Sequence, residues 1–179
     1  MLPKDYIVYM LTGVHCTDPS DASGTLLFDV KNRCWSKEMM GICDLAEEQL
    51  PAIYQSYDVV GTIKEELARD LGFSNEIKVV AGAGDNAAAA VGTGTVGEGQ
   101  CNVSLGTSGT IFISSKKFKV DSNNALHSFA HADGSYHLMG VILSAASCNK
   151  WWMEDILKTT DFAEEQENIK DLGKNQVYF

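Results

Sequence analysis

One isolated carboxylate, Asp85, follows a pair of glycines in the run Val79–Gly94, VVAGAGDNAAAAVGTG, and an amide, Asn86, comes directly after it. The apolar start, the glycines and the alanine tract read as strand, tight turn and helix, with the acid in the helix's first turn. A carboxylate held there is suited to accept a proton from a hydroxyl. Further along, Ser104–Thr110, SLGTSGT, sets glycines and hydroxyl residues between two apolar β-type runs. The N–H groups of such a turn can face phosphate oxygens. Together the two features describe apparatus for moving a phosphoryl group. Each also has a plainer reading. Asp85 or Asn86 serves equally as a helix cap, and GTSG as an ordinary β-turn. Gly82–Ala87 fits the loose GxGxx[GA] dinucleotide pattern, but Asp85 would occupy the positive helix end that a pyrophosphate needs. No GK[ST] follows SLGTSGT, so it is not a Walker A loop.

Other residue types that do chemistry are less specific. His127 and His131 share a face if they lie on one strand, with His137 on the partner strand. A zinc site would need ligands at a spacing that is missing, and packed or hydrogen-bonded structural histidines are the simpler reading. Thr17–Thr25, TDPSDASGT, offers Asp18 and Asp21 as caps and turn formers, or as two acids for a magnesium ion. Trp151 and Trp152, adjacent on a helix, face different directions, one toward a core and the other toward an interface.

The elements that must carry these residues follow from patterning. Asp5–Leu11 reads as the end of a helix that starts before the chain, Ser36–Cys43 as a short helix capped by Ser36, and Ala46–Leu50 as a helical turn before Pro51. Thr62–Leu71 is an amphipathic helix stopped by Gly72, and Ile77–Ala81 a buried strand leading to an Asp85–Val91 helix. Gln100–Ser104 and Thr110–Ser114 are strands about SLGTSGT. Ala125–Ala132 and Ser135–Val141 form a hairpin about Asp133–Gly134. Leu143–Leu157 and Phe162–Leu172 are helices, and Gln176–Phe179, QVYF, is strand-like. The class is α/β, with both strand pairs in one mixed sheet.

Composition bounds the partners. The 179 residues are 45% hydrophobic, with a net charge of −10 from 24 acids and 14 bases. That balance argues against nucleic acid or an anionic membrane, yet leaves nucleotides open, because backbone N–H groups hold phosphates without net positive charge. The five cysteines are scattered with no CxxC, as in a reduced, cytoplasmic chain.

Taken together, LPKDY (Leu2–Tyr6), LTG (Leu11–Gly13), TDPSDASGT, GAGDNAA (Gly82–Ala88), SLGTSGT, HSFAHA (His127–Ala132) and LSAAS (Leu143–Ser147) resemble the FGGY carbohydrate kinases. HSF-x-HA and LSAAS resemble the family's xylulose branch in particular. The resemblance implies a ribonuclease H-like, actin-like ATPase fold. Residues 1–75 would close the first, sugar-binding domain and residues 76–179 would open the second, ATP-binding domain. It implies transfer of a phosphoryl group from MgATP to D-xylulose, giving D-xylulose 5-phosphate. Asp85 would be the catalytic base, Asn86 a sugar contact, and Gly106, Thr107, Ser108 and Gly109 a phosphate loop. No metal ligand is assigned within the chain. The implied partners are the sugar and ATP, with a homodimer common in the family. The first phosphate loop and the adenine site would lie outside Met1–Phe179, so the chain reads as the middle of such a kinase and inactive alone. A truncated, non-catalytic module, or a kinase of another ketose or polyol on the same scaffold, are the alternatives.

Overall fold

The structure is a computed structural model that describes residues 1–169. Two compact units emerge, Met1–Asn102 with Phe112–Gly140, and Val103–Ile111 with Val141–Phe179, the last described as far as Ile169.

The first unit begins with α1 (Pro3–Thr12), which starts inside the chain rather than before it. Pro3 supplies the preset φ of a first helical position, and the Asp5 carboxylate accepts the Leu2 N–H at 3.2 Å. Gly13, at φ 82°, closes the helix. Next come β1 (Cys16–Thr17) and α2 (Pro19–Ala22), where Asp18 is the N-cap and accepts the Ser20 and Asp21 N–H groups. A 3-10 turn, Ser23–Thr25, leads to the small ribbon of β2 (Phe28–Asp29) and β3 (Cys34–Trp35). Ser36 caps α3 (Lys37–Ile42) as expected, its hydroxyl accepting the Met39 N–H. The turn before Pro51 is 3-10, Glu47–Gln49, and β4 (Ala52–Ile53) then pairs in parallel with β1.

Two expectations are corrected in the next stretch. The helix expected from Thr62 begins at Glu65, as α4 (Glu65–Leu71), because Thr62 belongs to β5 (Val59–Thr62). The following strand, β6 (Lys78–Val80), is not buried. It pairs with β5 in a two-stranded ribbon, and Ile77 and Val80 stay exposed. The apolar run of β6 therefore marks strand propensity rather than depth.

The Asp85 helix is present as α5 (Asp85–Gly92). The strand pair about SLGTSGT is β7 (Cys101–Leu105) and β8 (Gly109–Ser115), and the second hairpin is β9 (His127–Ala130) and β10 (Tyr136–Ile142). They form one four-stranded sheet in the order β7-β8-β10-β9. The last pair is antiparallel, with His137 opposite Phe129 and Met139 opposite His127. Its core within the first unit is Ala90 of α5, Phe112 of β8 and Met139 of β10, with Phe129 packed against them.

In the second unit the helix expected over Leu143–Leu157 starts late. Ala145 sits at φ −115°, ψ −92°, outside helical space, so α6 runs Ala146–Trp151 and continues as a π-helical turn, Trp152–Leu157. Neither tryptophan enters a core as expected. Both are exposed, and Met153 is the buried side chain of the turn. Finally α7 covers Phe162–Ile169. The remainder of the helix expected to Leu172, and the strand expected at Gln176–Phe179, lie outside the described residues.

Candidate functional site

Asp85 stands where it does because the chain before it is pinned from three sides. The Ala81 N–H donates to the Asp58 carbonyl at 3.1 Å and the Gly82 N–H to the Ser56 carbonyl at 2.9 Å. The Gly84 N–H donates to Ser20 Oγ at 3.0 Å. Gly82 has φ +78°, and a Cβ there would lie 3.1 Å from the Lys4 side chain; one on Gly84 would lie 3.4 Å from Asp21 Cα. Gly82 is thus required by its conformation, whereas a Cβ on Gly84 would make ordinary contact with Asp21. Gly84 is the N-cap and makes no side-chain cap, so Asp85 is the first helical residue rather than the cap. Its exposed carboxylate accepts the Asn86 N–H at 2.7 Å and the Asn86 Nδ2–H at 3.0 Å.

Beneath this turn lies a buried ionic network. Lys4 Nζ is 2.8 Å from Asp5 Oδ1 and 3.2 Å from Asp18 Oδ1, and it donates to the Ala81 carbonyl at 3.1 Å. Asp18 Oδ2 also accepts the Ser20 and Ser56 hydroxyls, each at 2.6 Å. Burial opposes the ammonium charge, but the Asp5 hydrogen bond and the Asp18 and Asp5 charges outweigh it and hold the Lys4 pKa above its ordinary value. Here Asp18 of TDPSDASGT acts as cap and counter-ion at once.

The network opens onto a cavity of about 200 Å³ whose wall includes Ser20, Asp21, Asp85, Asn86, Phe129 and His137. Burial, the Lys4 cation notwithstanding, raises the Asp21 carboxyl above the usual carboxylate range, with Asp18, Asp5 and Asp85 adding like charge. The hairpin wall is tied to α2 through the Ser23 hydroxyl, which accepts the Ala130 N–H at 3.0 Å. Arg33 donates to the Gly134 and Ser135 carbonyls, each at 2.6 Å, and lies over the Tyr136 ring.

His127 and His137 lie on paired strands as expected, and His131 and His137 are packed, but His131 falls outside its strand. β9 ends at Ala130, so His131 leaves the strand, and its Nε2 meets the Thr95 carbonyl at 2.9 Å. His127 is exposed and stacks on Phe129. His137 is 2% exposed, and neither ring nitrogen has a hydrogen-bond partner among the described residues. Burial first, and the His131 charge second, push its pKa down to about 3. Among the described residues no three His, Cys, Asp or Glu side chains converge as a metal cluster. The sequence raised Asp21 and His137 only as metal ligands, not as neighbours of Asp85. A GDN turn and a DPSD turn carry no mutual signal, and only the fold brings them to one cavity.

Gly106–Gly109 belong to the second unit, Asp85 and Asn86 to the first. Within the loop the Gly106 N–H donates to the Ser108 carbonyl at 2.9 Å. The Thr107 carbonyl accepts the Ala145 N–H and the Ser147 hydroxyl, both at 2.8 Å. Gly109 is closed in, since a Cβ there would lie 3.0 Å from Ala145 Cβ. Thr107 and Ser108 are exposed, and their N–H groups and hydroxyls have no hydrogen-bond partner among the described residues. They are the donors this loop can offer an anion.

Comparison with known proteins gives these arrangements a context. Residues 1–92 match the model of the FGGY family of carbohydrate kinases, N-terminal domain. A xylulose kinase of Escherichia coli (strain K12) is 47% identical over 152 residues, 84% of this chain and 31% of the relative. The crystal structure of a xyloylose kinase from Brucella ovis superposes with a TM-score of 0.86 at 40% identity, over 93% of this chain and 34% of that one. A gluconate kinase from Lactobacillus acidophilus superposes with a TM-score of 0.84 at 28% identity, over 96% and 35%. The chain thus spans about a third of the length of the proteins it matches.

Proposed function

The chain belongs to the FGGY family of carbohydrate kinases, and from that premise we propose that it forms part of an enzyme transferring the γ-phosphoryl group of ATP to D-xylulose. The observation that carries the proposal is the Asp85 carboxylate, set at the head of α5 on the wall of a small cavity and hydrogen-bonded, among the described residues, to the adjacent Asn86 alone. In this reading Asp85 accepts the proton of the sugar hydroxyl as its oxygen attacks phosphorus in line. Asn86 orients the sugar. Thr107 and Ser108 donate to the transferred phosphoryl oxygens, where charge must be stabilised. Gly106 and Gly109 shape that loop. No Mg²⁺ ligand is assigned to this chain; the ion would be held largely by phosphates and water. The division into a sugar-binding portion, 1–75, and an ATP-binding portion, 76–179, is part of the same proposal. The stretch 76–92, which the N-terminal-domain model also matches, then leads from one to the other. ATP as donor and five free cysteines support a cytoplasmic reaction.

The substrate rests on the named relatives and on HSF-x-HA and LSAAS. The likeness to a gluconate kinase keeps another sugar on the same scaffold as the second reading. Replacing the matching third of the Escherichia coli xylulose kinase with residues 1–179 gives a full-length protein for a coupled ADP-release assay across ketoses, polyols and gluconate. D-xylulose is expected to have the highest kcat/KM. A higher value for any other acceptor rejects the substrate reading, and no turnover with any acceptor rejects the kinase reading for this segment.

A further inference from the structure

Of the three N–H groups that pin the turn before Asp85, only that of Gly84 is held by a side chain. Ala81 and Gly82 donate to the backbone carbonyls of Asp58 and Ser56, whereas the Gly84 N–H, one residue before Asp85, donates to the Ser20 hydroxyl oxygen at 3.0 Å. Ser20 is buried and is itself committed. Its hydroxyl donates to Asp18 Oδ2 at 2.6 Å, and its own N–H donates to the same oxygen at 3.0 Å. Asp18 is fully buried, and its other carboxylate oxygen lies 3.2 Å from Lys4 Nζ. We propose that Ser20 is a positioning residue for catalysis, whose hydroxyl aims Asp85 at the acceptor by tying the head of α5 to the Lys4–Asp18 ion pair. This rests on reading Asp85 as the base.

The direction of each bond follows from the chemistry of a hydroxyl. Its single proton is taken by the Asp18 carboxylate, so toward Gly84 the oxygen has only lone pairs to offer, and an N–H is what meets them. Hydrogen bonds in such a chain polarise one another, which strengthens the last link. The anchor is fixed in turn. Asp18 Oδ2 also accepts the Ser56 hydroxyl at 2.6 Å, and Asp18 caps α2. Asp85, by contrast, is an exposed side chain at the first position of its helix, so its reach depends on where the Gly84 backbone is held. Alanine at position 20 removes the acceptor and frees the head of α5. Transfer is sensitive to that freedom, since a reacting group displaced by about 1 Å loses much of its advantage.

The test is a double-mutant cycle in the full-length chimera, run with whichever acceptor it phosphorylates best: the parent, Ser20→Ala, Asp85→Asn, and the two changes together. Ser20→Ala is expected to lower kcat about tenfold. In the Asp85→Asn background, where no base is left to aim, it is expected to lower kcat by less than about twofold. A residue that only stabilises the fold lowers kcat through the active fraction, by the same factor in both backgrounds. Equal factors therefore overturn the proposal, and so does a kcat for Ser20→Ala within about twofold of the parent. Ser20→Cys, whose sulfur fills the space but accepts weakly, goes through the same cycle and keeps the test decisive if the alanine variant fails to fold. The two readings separate cleanly. Equal factors beside a loss of about a hundredfold in Asp85→Asn strike the Ser20 role alone, whereas near-parental kcat in Asp85→Asn rejects the base and the aiming role with it.

Discussion

At the scale of single residues, Asp85 and His137 carry opposite demands. Asp85 is an exposed carboxylate at a helix start, where a base has reach. Asp85→Asn in the full-length chimera keeps the shape and the neighbour contact but removes the proton acceptor. The expected result is a loss of about a hundredfold or more in kcat with a much smaller change in sugar KM, measured by steady-state kinetics. Near-parental kcat would remove Asp85 from the chemistry. His137 instead resists charge, with a folded pKa of about 3 against about 6.5 in an unfolded chain. Between those values the unfolded chain binds the extra proton, so stability falls as pH drops from about 6.5 toward 3. His137→Phe abolishes that proton uptake. Its acid-unfolding midpoint, followed by circular dichroism, is expected at lower pH than the parent's.

At the scale of elements, the site is held by a joint between α1, the turn into α2 and the Gly82–Gly84 turn. One cation serves all three, because Lys4 touches Asp5, Asp18 and the Ala81 carbonyl. Asp5 and Asp18 are fully buried. Lys4→Met would leave two buried carboxylates without a counter-charge, and the expected cost is about 3–5 kcal/mol in urea unfolding. A loss under about 1 kcal/mol would show the pair to be as weak as a surface ion pair. The sign with pH is also set. The folded Lys4 pKa is raised, so its contribution is complete below the unfolded lysine value of about 10.4 and is lost as pH rises through the folded value.

At the scale of the whole molecule, in-line transfer needs donor and acceptor held together, and this chain spans about a third of the length of the kinases it matches. The 179-residue chain alone is expected to give no xylulose-dependent ADP release, whereas the chimera does. It also exposes large apolar side chains, among them Leu143 at 88% and Leu105 at 74%. Light scattering is expected to show self-association of the isolated chain. A monodisperse monomer that turns over xylulose would overturn both expectations.

Local chemistry was legible in the residues themselves. Gly72, Ser36 and Asp18 stop or cap their helices as their types require, and VVAGAGDNAAAAV is strand, turn and helix because valine, glycine, acid and alanine each have strong short-range preferences. The two strand pairs about SLGTSGT and Asp133–Gly134, and their union in one sheet, also follow from alternation and turn residues. Depth was not legible. The apolar β6 is exposed and the helix at Leu143 starts late, since burial depends on what packs against a segment and a backbone of φ −115°, ψ −92° at Ala145 leaves no mark in composition. The cavity was settled by tertiary structure alone. The Ser20–Asp21 pair, Asp85 and His137 lie on three separate stretches of chain, and only packing of α2, α5 and the β9–β10 hairpin gives them a common wall. Short-range preferences act between neighbours in sequence, whereas a site is made of neighbours in space.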